Sequence, residues 1–137
     1  MMTVEEYFKK CNDTRTNEEK IKAIGKCEDN IIGIKNPTRE MWKLALMKNG
    51  HLIRFLRNPD EELQLIAIKK DPEAIEHIYN PTEKVQLKAI TLNALVIQDI
   101  KNPSKKIQLE AIRRRKDIFH CIETSDEMQA LIKMELL

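Results

Sequence analysis

Aromatic residues make up only 4% of this 137-residue chain, which also has just 3 glycines. Few aromatics and few glycines argue against sheet folds, whose strands and turns draw on both. The 3 cysteines, Cys11, Cys27 and Cys121, contain no CxxC pair and cannot all pair with one another. No disulfide framework or zinc knuckle is therefore expected, and a reducing, cytoplasmic setting is. No window reaches the roughly 18–20 apolar residues of a membrane span, and the first ten residues hold no apolar run of signal-peptide length. A soluble protein follows as the expectation. A one-sided charge is missing too. The net charge is +2, so only local clustering could mark a polyanionic partner. What the chain does have is 34% charged residues and abundant Ile, Leu, Lys and Glu, the composition of helices with solvated faces. Its length suits one domain.

The organising feature is a repeat. Asn-Pro occurs at Asn36-Pro37, Asn58-Pro59, Asn80-Pro81 and Asn102-Pro103, each 22 residues after the last. Counting Asn as position 1, position 6 holds Met41, Leu63, Val85 and Ile107, and position 10 holds Ala45, Ala67, Ala89 and Ala111. Position 11 holds Leu46, Ile68, Ile90 and Ile112. Position 18 holds Ile53, Ile75, Ile97 and, after a one-residue slip, Ile118. The chain divides accordingly into an N-terminal capping helix (1–13), a degenerate repeat (14–35), four regular repeats (36–123) and a C-terminal capping helix (124–137). Thr3-Val4-Glu5-Glu6 reads as a capping box that opens the first of these, with Val4, Tyr7, Phe8 and Cys11 on one face. Atypical ends around regular copies close off the core of a solenoid.

Within a copy, Asn as helix cap and Pro at the first helical position predict a helix of about 12 residues, such as 59–70. Glu61 and Glu83 then stand where a reciprocal capping bond could form. Breakers at Asn49-Gly50, Asp71-Pro72 and Asn93 predict a turn, and a second short helix, such as 73–78, should follow. At about 100° per residue, positions 6, 8, 10 and 11 span an apolar arc of some 200°, which suits a helix packed on two sides. Position 7 lies mid-arc and carries Gln64, Gln86 and Gln108, with Trp42 in the first copy. A buried glutamine ladder is expected, bonded to backbone around the Asn-Pro corners.

The template Asn-Pro-x-x-x-Φ-Gln-Leu-x-Ala-Ile resembles short α-solenoid repeats of the HEAT and variant leucine-rich-repeat kind. It looks most like uncharacterised 22-residue tandem repeats in proteins of bacteria and their phages. The resemblance implies an all-α, right-handed solenoid of about five helix-pair repeats that holds another macromolecule. It brings no catalytic residues. It also suggests a phage-encoded adaptor or inhibitor, acting in that case in the host-cell cytoplasm.

The sequence carries no catalytic or metal-binding motif. His51, His77 and His120 stand on the second helices of different repeats, and side chains two repeats apart should lie roughly 20 Å from each other. His77 and Cys121 are thus too far apart to share a metal, and neither metal nor cofactor is expected. Gly25, Gly33 and Gly50 are isolated, so no phosphate loop is present, and Gly-x-Ser-x-Gly does not occur. Carboxylate pairs such as Glu61-Glu62 sit at helix starts, where the helix dipole accounts for them. The expectation is a binding module without catalysis.

Two surfaces are candidates. Leu44, Met47 and Ile66 form an apolar patch that Phe55 and Tyr79 extend on the short helices, suited to a protein partner. Lys48, Lys69, Lys70, Arg113, Arg114, Arg115 and Lys116 cluster at helix C-termini, with Lys101, Lys105 and Lys106 beside them. This basic edge could track a nucleic-acid backbone, the alternative function, or merely offset helix dipoles. The apolar segment 128–137 either caps the last repeat or pairs with a second copy of the chain.

Overall fold

The computed structural model describes residues 15–136. The expected N-terminal helix, with Val4, Tyr7, Phe8 and Cys11, lies outside the described residues. Among those described the chain is all-helical and alternates two kinds of helix. The α-helices are α1 (Asn17–Lys26), α2 (Arg39–Lys48), α3 (Glu61–Lys70), α4 (Glu83–Leu92), α5 (Lys105–Arg114) and α6 (Asp126–Leu136). Between them run 3-10 helices: η1 (Glu28–Gly33), η2 (Gly50–Phe55), η3 (Pro72–His77), η4 (Ala94–Asp99) and η5 (Lys116–His120). Each α-helix packs on the next α-helix, and η2, η3 and η4 pack successively on one another. The result is two layers, one α and one 3-10, with the core between them. No described helix is long and apolar enough to cross a membrane.

The helix starts correct the expectation. The caps are Thr38, Asp60, Thr82 and Ser104, two residues after Asn, and each accepts a hydrogen bond from the amide three residues on. Asn36, Asn80 and Asn102 instead take positive φ of 50–52°, a left-handed turn that asparagine tolerates better than most residues. Proline follows with its φ already set, and the cap residue then starts the helix in extended geometry. Asn-Pro is therefore the corner, not the cap, and α3 opens at Glu61 instead of at Pro59. Glu61 and Glu83 make no reciprocal capping bond; the one described capping box is Thr16 with Glu19 in the degenerate repeat.

The second helices are also tighter than expected. Each is a 3-10 helix of five or six residues, entered from an extended residue at φ −135° to −150°. The fixed 22-residue length explains this, because an α-helix of ten residues and two corners leave only six positions. Gly50 is required where η2 meets the next repeat. A Cβ there would lie 2.3 Å from the Ala67 carbonyl oxygen, and its amide donates to Asp71 Oδ2 at 2.6 Å.

The core follows the template. Ala45, Ala67, Ala89 and Ala111 are fully buried, as are Leu46, Ile53, Ile68 and Ile90. Each large side chain so buried contributes about 1.5–3 kcal/mol. The glutamine ladder forms as expected, with Nε2 of Gln64, Gln86 and Gln108 donating to the carbonyls of Pro59, Pro81 and Pro103 at 2.8, 2.9 and 3.2 Å. Only Gln64 is fully buried; the other two are partly covered. A fourth rung, Gln129 to Thr124 at 3.5 Å, continues it into the last copy. There Ser125 caps α6, whose Met128 and Ile132 are buried while Leu131 and Met134 stay exposed.

Candidate functional site

The α layer holds most of the expected basic edge, and it does not hold it together. Lys105 and Lys106 open α5 while Arg113 and Arg114 close it, about 12 Å away along the axis. Most of these cations are also occupied. Lys106 pairs with Glu83 at 2.7 Å, Lys105 with Glu127 at 2.8 Å and Arg114 with Glu110 at 2.8 Å. Arg115 pairs with Asp117, and Lys48 donates to the Gly25 carbonyl at 2.6 Å. Among the described residues Lys69, Lys70, Lys101 and Lys116 make no ion pair, and they do not form a continuous stripe.

The pairs follow a rule absent from the sequence reading. Position 4 of one repeat meets position 5 of the next with opposite charge: Arg39 with Glu62, Glu61 with Lys84, Glu83 with Lys106, Lys105 with Glu127. Comparing each residue with the one 23 positions on reveals the first three, and the last falls at 22 because the final copy is one residue shorter. Hydrogen bonds from Arg39 and the Leu63 amide lower the Asp60 carboxyl, and Lys84 and Thr82 lower that of Glu61. Lys43 and Arg39 lower Glu62 in the same way.

The expected apolar patch is divided as well. Leu44 and Ile66 are half-buried against the core, so of the α-layer set only Met47 is exposed. Phe55 and Tyr79 belong to the other layer. The Arg54 guanidinium lies 4.9 Å from the Phe55 ring centre, and Tyr79, 82% exposed, stands beyond the end of η3.

It is in the 3-10 layer that reactive groups converge. His51 Nδ1 lies 3.3 Å from His77 Nε2, with the rings inclined at 72°. Glu76 Oε1 is 3.3 Å from the same His77 nitrogen. The expected spacing of about 20 Å concerns side chains two repeats apart; His51 and His77 are in adjacent copies, whose 3-10 helices pack on one another and bring them into contact. Next to them Asp99 on η4 has its carboxyl pushed up, first by burial and then by repulsion from Glu76 and Glu73. Glu73 accepts a bond from Asn93 at 2.7 Å. Glu76, His77, Tyr79, Asn80, Asp99 and Lys101 line a cleft of about 590 Å³ between the third and fourth corners of the stack.

The titratable groups among these, His51, Glu73, Glu76, His77 and Asp99, stand at positions 16, 19 and 20 of the template, which vary between copies. Variation at these positions is the signal the sequence offers for them, and the constant positions carry none. Comparison with protein families, with characterised proteins and with solved structures finds no match to the chain. The class is therefore set by the fold itself, an all-helical tandem stack.

Proposed function

We propose that the chain is a non-catalytic binding module that recognises a protein partner through its 3-10 layer, taking a cationic segment in the cleft beside Tyr79. The observation that supports this reading is the cleft itself. It joins an almost fully exposed tyrosine to Asp99 and Glu76, carboxylates that repel one another and that make no ion pair with Lys101 of the same lining. A lysine or arginine of a partner would relieve that repulsion while its stem packs on the ring, as tyrosine anchors commonly do at interfaces. The nucleic-acid alternative has less support, because its cations are divided between two helix ends and largely paired.

Short labelled peptides of matched length and opposite charge test the reading by fluorescence anisotropy. Basic peptides should bind, and Tyr79→Ala should weaken them by about tenfold or more. Equal binding of acidic peptides, or no effect of Tyr79→Ala, would remove the cleft from consideration.

A further inference from the structure

The contact between His51, Glu76 and His77 is poorly explained as hydrogen bonding alone. At 3.3 Å both contacts of His77 Nε2 are long, and a single proton on that nitrogen would have to be shared between His51 Nδ1 and Glu76 Oε1. The same separation fits another chemistry. Two ligands bound tetrahedrally to zinc at about 2.0–2.1 Å stand about 3.3 Å from one another. His51 Nδ1 to His77 Nε2 and His77 Nε2 to Glu76 Oε1 are both 3.3 Å, and all three ligand atoms lie within 4.8 Å of one another. Glu76 is half exposed, so its carboxylate is free to swing and close the longest edge.

We propose that His51, Glu76 and His77 form a binding site for a divalent transition ion of the zinc type. Imidazole and carboxylate suit that class of ion, and two neutral histidines with one carboxylate leave a fourth position for water or a partner group. His51 is held before any metal arrives. Asn49 Oδ1 accepts from its amide at 3.1 Å, and the Gly50 amide beside it is bonded to Asp71 of the next repeat. His77 closes η3 and is largely covered, so its ring has little freedom. The surrounding charge points the same way, since Glu73 and Asp99 add negative potential close to Glu76. Because His51 belongs to one repeat and Glu76 and His77 to the next, the ion fastens two copies together. The site shares Glu76 and His77 with the cleft, but its test needs no partner, so it can fail or succeed apart from the partner reading.

Isothermal titration of the full chain with zinc chloride tests it, with cobalt(II) as a spectroscopic substitute. The expected result is one equivalent bound in the micromolar range or tighter, with a thermal midpoint raised by about 5–10 °C at a hundredfold excess over Kd. His51→Gln and His77→Gln should each lose at least about 100-fold in affinity, and Glu76→Gln about tenfold, while His120→Gln changes nothing. The cobalt spectrum should show ligand-field bands without a thiolate charge-transfer band. Zinc should also shift the ring nitrogens of His51 and His77 in the unaltered chain, a readout that does not depend on the variants folding. Absence of binding, unchanged affinity in His51→Gln, or a thiolate band from Cys27 or Cys121 would each overturn the proposal.

Discussion

The two layers of the stack handle charge in opposite ways. In the α layer each repeat presents a charge that the next repeat answers: Arg39 with Glu62, Glu61 with Lys84, Glu83 with Lys106. Carboxylates there are lowered by their partners. In the 3-10 layer Asp99 is raised by burial and by repulsion from Glu76 and Glu73, and two histidine rings meet at 72°. A surface whose ionic groups satisfy one another has little left to offer a ligand. One whose like charges crowd together gains when a cation arrives. The contrast favours the 3-10 side for both proposed sites.

The sharpest way to break the contrast is to pry the layers apart. Gly50→Ala places a methyl group 2.3 Å from the Ala67 carbonyl oxygen, and backbone on both sides must move. A loss of about 3 kcal/mol is expected, read as a lower midpoint in chemical denaturation. A cost well below 1 kcal/mol would mean that the two layers slide independently. A smaller effect comes from the corner that joins them. Gln64→Ala strands the Pro59 carbonyl and should cost about 1–3 kcal/mol. Gln108→Ala, at a partly covered rung with a longer bond, should cost less, and denaturant titration of both compares them. Equal losses would show that the ladder acts through packing alone.

The register of the stack was legible because burial repeats in identity. Ala67 and Ile68 recur as Ala89 and Ile90, and all four are fully buried. The corner was misread because asparagine, proline and the third residue all favour helix starts. Only the third residue varies in name, as Thr38, Asp60, Thr82 and Ser104, while keeping its hydroxyl or carboxylate acceptor. Geometry decides between such rivals, and here the left-handed φ of Asn36, Asn80 and Asn102 did. The site was hidden for a different reason. His51 and His77 are 26 residues apart, not 22, so a search at the repeat length cannot align them. They meet because η2 and η3 pack on one another in successive copies, with the side chain at position 20 of one reaching that at position 16 of the copy before.

The smallest effect is the most diagnostic. Asp60 is lowered, so its fold contribution is present above the unfolded value near pH 3.9 and is lost as pH falls through its depressed value. Asp99 is raised, and the sign reverses. Its ionised form is penalised by the fold, the penalty is complete above the raised value, and it vanishes as pH falls towards about 3.9. Acidification from neutrality should therefore first stabilise the chain slightly and only then destabilise it. Asp99→Asn should abolish the first phase, raise stability a little at neutral pH, and leave the acid limb unchanged. Carboxyl carbon shifts followed against pH resolve the two groups directly. If Asp99 titrates at or below Asp60, then the 3-10 layer carries no unrelieved charge, and the contrast between the layers is lost.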